Sequence, residues 1–184
     1  MKTDAHKKRG ALDWASFLAK HDPLWDRFPA HYEQGPFAGN GLLGSIVYAD
    51  RQERTALRFE IGRTDVYDHR DEEGGTFGHC RLPIGQVLLV PPSMPADSGI
   101  RLDLWNAEIT GFIKLGDGVN ADEKRELHWR CFFPSEEEVM VLEVTSTSPG
   151  IAARLLFRPE QGNSPRLAYV GAIDEKPNYI PNPP

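Results

Sequence analysis

Long apolar runs are missing from this sequence of 184 residues. The longest uncharged apolar run, Val87 to Pro92, is the size of a single strand. No stretch approaches the roughly 18 consecutive apolar residues that a membrane-spanning helix needs. We therefore expect no membrane partner.

Positive charge is also in short supply, because 21 Lys and Arg residues face 27 Asp and Glu residues and the net charge is −6. Proteins that bind nucleic acid neutralise its phosphates with a basic surface. This balance has the opposite sign, so we expect no nucleic-acid partner. The fractions of apolar residues, 40%, and charged residues, 26%, are those of an ordinary globular protein.

Cysteine is scarce, and Cys80 and Cys131 lack the Cys-x-x-Cys spacing that is typical of zinc sites. Two buried free thiols are the expected state, with a disulfide between them as the alternative. The basic cluster Lys7–Arg9 is not followed by the apolar segment of a secretory signal. A native signal that had been removed would leave the same sequence, so a periplasmic or secreted location stays open.

The order of short apolar segments predicts an all-β protein with one short N-terminal helix. The helix is predicted within Ala11 to Lys20, and Pro23 prevents its continuation. At least eight strand candidates follow, each bounded by turn-forming residues: Leu42–Tyr48, Leu57–Ile61, Ile84–Val90, Ile100–Ala107, Glu108–Leu115, Leu127–Phe133, Glu138–Thr145 and Ile151–Phe157. We expect an N-terminal segment over residues 1–24 and a β domain over residues 25–170.

The predicted strands favour antiparallel pairing into two packed sheets. Alternation is clearest from Arg101 to Ala107, where Leu102 and Leu104 are predicted to share a buried face and Trp105 to lie on the other. A parallel doubly wound sheet needs crossover helices, and the sequence offers no periodic segments for them. The 17 Gly and 15 Pro residues suit the many turns of a sandwich.

The most distinctive stretch, Gly35 to Tyr48, places closely spaced glycines directly before a predicted strand. It lacks the lysine of a phosphate-binding loop, and no amphipathic helix follows it. A nucleotide site is therefore not expected. The glycines instead indicate a tight turn or a close backbone approach.

The segment Gly39 to Tyr48, which reads GNGLLGSIVY, resembles the opening of the N-terminal sandwich domain in glycoside hydrolases with an (α/α)6 barrel, such as family 95 fucosidases and family 65 phosphorylases. Where family 95 has an N-E-D-T-L-W run, this chain has EIGRTDVYDHR at Glu60 to Arg70. Together with Phe77 to Gly85 and Arg101 to Glu108, the order of motifs resembles the DUF5703 domain of bacterial, family-95-like proteins. The resemblance covers about Trp25 to Pro165.

This resemblance implies a galactose-mutarotase-like supersandwich whose role is to pack against a C-terminal (α/α)6 barrel. In the related hydrolases the catalytic carboxylates belong to the barrel, and this chain is too short to hold both parts. It is therefore expected to be inactive alone, within a glycoside hydrolase-like protein. Residues 171–184, with four prolines in the last eight residues, are expected to form a linker toward that further domain. The alternative function is a free-standing carbohydrate-binding module.

Six residues are candidates for sugar contact: Asn40, Arg63, Asp65, His69, Arg81 and Trp105. Most lie in one polar stretch whose Asp, His and Arg side chains suit either sugar hydroxyls or an ion-paired brace of a long loop. Trp105 is assigned equally to the core and to an interface, with a sugar platform as a third possibility. Asp68, His69, His79 and Cys80 are of residue types that bind metals, but their sequence spacing does not indicate that they converge. No catalytic residue, metal or cofactor is predicted, and the sugar, its linkage and the oligomeric state are open.

Overall fold

The computed structural model of the chain describes residues 12–68, 81–116, 125–160 and 162. Within these residues, one helix, α1 (Trp14–Leu18), and a 3-10 turn (Tyr32–Gln34) accompany ten strands. The strands are β1 (Leu24–Trp25), β2 (Phe37–Gly39), β3 (Leu43–Ala49), β4 (Leu57–Tyr67), β5 (Arg81–Val90), β6 (Pro95–Asp103), β7 (Glu108–Leu115), β8 (Glu126–Phe132), β9 (Val141–Ser146) and β10 (Arg154–Pro159).

The strands form two five-stranded antiparallel sheets, which confirms the predicted two-sheet all-β fold. Sheet A has the order β1-β6-β7-β8-β9, and sheet B has the order β10-β5-β4-β3-β2. After β1, which belongs to sheet A, strands β2 to β5 build most of sheet B, β6 to β9 build the rest of sheet A, and β10 returns to the edge of sheet B. No helix in the described ranges is long and apolar enough to cross a membrane.

The core lies between the two sheets and follows the period of two that strands impose on their side chains. Strand β8 shows it most simply, because Leu127, Trp129 and Cys131 are buried while His128 and Arg130 between them are exposed. Sheet B contributes Val47, Leu57, Phe59 and Leu89 to the same cluster. The rings of Phe59 and Trp129 meet edge to face with centroids 5.4 Å apart, which joins the sheets at their centre.

The predicted strand Ile100 to Ala107 ends earlier than expected, at Asp103. The Asp103 side chain accepts hydrogen bonds from the backbone N–H groups of Trp105 and Asn106, and Ala107 adopts a positive φ of 53°. Asp is a strong turn former by this local bonding. The prediction that Leu102 and Leu104 share a buried face is therefore wrong, since Leu104 lies in the turn and is exposed.

Other boundaries differ by a few residues, and two short strands were not predicted. Strand β4 runs on to Tyr67, well past the expected Ile61, whereas β7 has the expected bounds. Strands β1 and β2 are two and three residues long, too short to show a period. Helix α1 is confirmed, with Asp13 as its N-cap, but none of its residues is buried.

Cys131 is a free thiol in the core, as expected. Burial raises the pKa of this thiol to about 12, so it is protonated at neutral pH. Its former candidate partner, Cys80, lies outside the described residues, as does the predicted linker 171–184.

Candidate functional site: two open troughs

The glycine-rich segment forms the floor of an open trough on the outer face of sheet B, which we call the glycine trough. Gly39 pairs with Gly44, and Gly44 pairs with Gly62, so three glycines lie side by side across β2, β3 and β4. Their neighbours Ala38 and Val47 belong to the core side, which places the glycine row on the outside. Gly41 has a φ of 94° and completes the turn between β2 and β3. The trough has a volume of about 650 Å³, and its lining includes Arg63 and Arg81.

Asn40, a predicted sugar-binding residue, has its side chain occupied by the protein itself. Its Oδ1 accepts hydrogen bonds from the N–H groups of Leu42 and Leu43, at 3.2 and 2.9 Å. Its Nδ2 donates to the carbonyl oxygens of Pro134 and Glu137, at 2.9 and 3.0 Å. With four hydrogen bonds made, the amide is saturated. Asn40 therefore ties the β2–β3 turn to the loop between β8 and β9.

Arg63 and Asp65 form a bidentate pair at the rim of the glycine trough. The Arg63 Nε and Nη2 atoms donate to the two Asp65 oxygens at 2.9 and 2.7 Å, and Nη1 donates to Glu138 Oε2 at 2.8 Å. These hydrogen bonds hold the pKa of Asp65 below its usual value. Glu138 belongs to the β8–β9 loop, which Asn40 also contacts. Asn40 and Arg63 therefore both connect sheet B to this loop of sheet A.

Of the other candidates that the structure describes, Arg81 shares the glycine trough with Arg63, whereas Trp105 lies elsewhere. Arg81 is exposed at the start of β5, opposite Tyr67, and reaches the glycine trough from that side. Trp105 lies in the β6–β7 turn of the other sheet, 54% exposed. His69 lies outside the described residues, as do His79 and Cys80 from the weighed metal set.

A buried polar network centred on Asp50 was not anticipated from the sequence. The Asp50 carboxylate is fully buried and accepts from the Gln52 and Glu53 N–H groups at 3.0 and 2.6 Å. It also pairs with Arg58 at 2.7 Å and with Arg158 at 3.2 Å. Burial alone would raise the pKa of Asp50, but these hydrogen bonds and charges outweigh it and lower the pKa.

Tyr48 extends this network along the outer face of sheet B. It donates a short hydrogen bond to Glu60 Oε2 and accepts one from Arg58 Nη1 at 3.1 Å. Burial, followed by the bond to Glu60, raises the pKa of Tyr48 to about 12. The phenol thus stays neutral at physiological pH, and the network joins β3, β4 and β10 to the loop that contains Asp50. Most of its members lie close together in the chain, between Tyr48 and Glu60, but Arg158 is 108 residues away from Asp50, and no local pattern indicates that contact.

A second open trough, about 740 Å³ in volume, lies on the outer face of sheet A and was also not predicted. We call it the cross-strand trough. Its lining comes from all five strands of sheet A and includes Arg101, Thr110, Phe112, Arg130 and Glu143. Both troughs fall within the roughly 300–1,000 Å³ usual for small-molecule sites.

Pairs of carboxylates with basic side chains lie at both troughs. The carboxylates whose pKa values move, Asp65 at the glycine trough and Asp97 and Glu143 at the cross-strand trough, have them lowered by hydrogen bonds from Arg63, Lys114 and Arg130. A general acid at neutral pH needs a raised pKa instead. Within the described part of the chain, no group of three or more His, Cys, Asp or Glu side chains could hold a metal ion.

No protein-family model matches this chain, and no curated protein matches it.

Proposed function

We propose that this chain is a non-catalytic β-sandwich domain of a glycoside hydrolase-like, carbohydrate-processing protein, and that it packs against a helical (α/α)6 barrel. The observation that carries the proposal is an uncovered part of the sandwich interior at β10. The motif resemblance in Gly39 to Tyr48 supplies the kind of partner. The side chains of Asn40, Arg63 and Asp65, which were candidates for sugar contact, are occupied by contacts within the protein, and this supports a structural role for them.

The uncovered part consists of Leu155 and Phe157, which we call the β10 strip. Leu155 lies opposite Leu89, and Phe157 lies opposite Val87, so each pair shares one face of sheet B. Leu89 is fully buried in the core and Val87 packs against it, which makes this the interior face. Leu155 and Phe157 are nevertheless 53% and 58% exposed. The interior face of sheet B therefore extends past the area that sheet A covers.

An apolar strip of this kind favours an additional packing partner. Burying apolar surface contributes about 25 cal/mol per Å², and contiguous exposed apolar surface is characteristic of interaction sites. Strand β10 is also the edge of sheet B, with unpaired backbone groups on its outer side among the described residues. A packed helical domain would cover both features.

The test replaces the strip in the native full-length polypeptide with Leu155→Ser and Phe157→Ser. We expect a lower melting temperature for the polypeptide and reduced turnover of a panel of aryl glycosides, because the partner domain loses its apolar contact. The 184-residue chain with the same changes is expected to melt as the unchanged chain does. A control polypeptide with Leu12→Ser and Met94→Ser changes exposed apolar side chains that lie away from the β10 strip and from both troughs, and it is expected to behave as wild type. If the β10 variant also behaves as wild type, the packing proposal is wrong.

A free-standing carbohydrate-binding module is the second candidate, and Trp105 favours it. The indole is 54% exposed on a turn whose backbone is fixed by Asp103. Exposed, rigidly held aromatic rings stack on the apolar faces of sugars at low entropic cost. The variant Trp105→Ala, compared with Trp14→Ala on the exposed helix α1, tests this candidate by affinity electrophoresis in gels that contain plant polysaccharides. If the polysaccharide slows the wild-type protein and Trp14→Ala but not Trp105→Ala, the module is supported. If it slows Trp105→Ala as much as the wild type, Trp105 is not a sugar platform.

A further inference from the structure

The cross-strand trough is built from two adjacent rows of outward-facing side chains on sheet A. Strand register places Gly99, Phe112, His128 and Thr145 side by side in the first row. The second row contains Leu24, Arg101, Thr110, Arg130 and Glu143. With neighbouring strands about 4.8 Å apart, the four strands β6 to β9 span about 14 Å. The trough is therefore long enough for an extended ligand rather than a single small ion.

Charges along the trough are compensated within the protein. Arg130 Nε and Nη2 donate to the two Glu143 oxygens at 2.6 and 3.1 Å. Arg101 Nε donates to Asp22 at 2.7 Å, and Lys114 pairs with Asp97 at 2.7 Å. A charged ligand would have to compete with these pairs, whereas a neutral polar ligand would not. The charge pattern thus favours a neutral ligand.

Polar groups in the trough still have hydrogen-bonding capacity. No hydrogen bond among the described residues engages the side-chain hydroxyls of Thr110 and Thr145. The Arg130–Glu143 pair, with both side chains about half exposed, keeps further N–H donors and carboxylate lone pairs beyond those in the pair. It therefore offers a donor and an acceptor side by side, which neighbouring hydroxyl groups can match.

The floor between these polar groups is apolar. The Phe112 ring lies directly against the backbone of Gly99, where a Cβ would come within 2.5 Å of Phe112 Cε1. Gly99 therefore makes room for the ring in the floor of the trough. Leu24, at one end, is among the most exposed apolar side chains of the described residues. A suitable ligand must then combine apolar faces with hydroxyl edges.

From these features we propose that the cross-strand trough binds a neutral oligosaccharide, the ligand class that combines apolar ring faces with adjacent hydroxyls. The inference rests on the carbohydrate part of the proposed function and assigns it a site separate from the glycine trough and from Trp105. Sugar rings would lie along the first row over Phe112. Their hydroxyls would bond to Thr145, Thr110 and the Arg130–Glu143 pair.

The test first probes the 184-residue chain on an array of neutral, sulfated and sialylated oligosaccharides. Calorimetric titration with the strongest-binding neutral oligosaccharide then compares Thr145→Val with Thr64→Val. Both threonines are exposed strand residues, but Thr64 lines the glycine trough. A second matched pair is Glu143→Gln in the trough and Glu136→Gln in an exposed turn. Circular dichroism melting confirms that each variant is folded.

We expect binding to neutral oligosaccharides, weakened about fivefold by Thr145→Val and about tenfold by Glu143→Gln, as the loss of one neutral and one charged hydrogen bond implies. The two control variants should bind as wild type. Absence of binding, binding only to sulfated or sialylated glycans, or weakening by Thr64→Val without weakening by Thr145→Val would each overturn the proposal. None of these outcomes bears on packing at the β10 strip, which is measured separately by melting and turnover.

Discussion

At the scale of single residues, Asp50 is the buried centre of a polar network beside the outer face of sheet B. Its carboxylate is fully buried and forms salt bridges with Arg58 of strand β4 and Arg158 of strand β10. Replacing it leaves Arg58 and Arg158 without their common anion. Breaking a buried, hydrogen-bonded ion pair by removing one partner is strongly destabilising.

We predict that Asp50→Asn lowers the free energy of unfolding by about 3 kcal/mol, measured by urea denaturation at pH 7. The control is Asp65→Asn, which removes a carboxylate that also pairs with an arginine but is half exposed. Solvent and salt screen such a pair, so this variant should stay close to wild type. Equal losses in the two variants would show that Asp50 is no more than a surface ion pair.

The same residue predicts a dependence on pH. The folded-state pKa of Asp50 lies below its unfolded value, so its stabilisation is complete above the unfolded pKa and is lost as pH falls through the folded pKa. The difference in unfolding free energy between wild type and Asp50→Asn should therefore be constant near neutral pH and shrink below about pH 4. Urea denaturation of both proteins across this range measures it. A difference that grows on acidification would contradict the assignment.

The candidate residues illustrate what a sequence can and cannot provide. The stretch around Arg63 and Asp65 is recognisable as polar and clustered, and it does form ion pairs. The partner loop that contains Glu138 is 75 residues away in the chain, and no local pattern indicates that it will meet Arg63. Asp50 and Arg158 are farther apart still, by 108 residues, and no local pattern indicates their contact either. Pairing across sheets depends on register, which one sequence does not specify alone.

At the scale of strands and turns, two glycines within strands have different surroundings. A Cβ at Gly111 on β7 would lie 2.5 Å from Trp129 Cζ2 and 2.7 Å from the Gly99 carbonyl oxygen. At Gly62 on β4, a Cβ would have no atom within 4 Å. Gly111 thus admits the Trp129 indole into the core, whereas Gly62 faces open space.

We predict that Gly111→Ala lowers the free energy of unfolding by about 2 kcal/mol, because overpacking displaces a core aromatic ring. Gly62→Ala should be neutral or slightly stabilising, since alanine restricts the unfolded chain more than glycine does. Thermal denaturation of the two variants side by side makes the comparison. A neutral Gly111→Ala would mean that Trp129 does not lie over this glycine.

Strand positions were more predictable than strand ends. Alternating apolar residues located most of the strands, and the Glu108 to Leu115 strand has its predicted bounds. The alternating pattern wrongly predicted that Leu104 is buried. The Asp103 side chain accepts hydrogen bonds from two backbone N–H groups, and the chain turns there. Strands β1 and β2 gave no signal because they contain too few residues to alternate.

At the scale of the whole molecule, the two-sheet architecture follows from the number of short strands and the lack of crossover helices. The sequence did not indicate where the sandwich would remain open. That property depends on how far one sheet extends beyond the other, and it appears only when β10 pairs with β5 at the edge of sheet B. The central claim is that this open edge is a packing surface for a helical domain.

Hydroxyl-radical footprinting of Phe157 tests this claim most directly. The experiment compares the 184-residue chain with the native full-length polypeptide. Oxidation of free phenylalanine added to both samples shows that they receive the same radical dose. Phe157 is 58% exposed in the chain, so its ring should be oxidised readily there. The account predicts strong protection of Phe157 in the native polypeptide, because a packed domain excludes the radical. Equal oxidation of Phe157 in both proteins would contradict it.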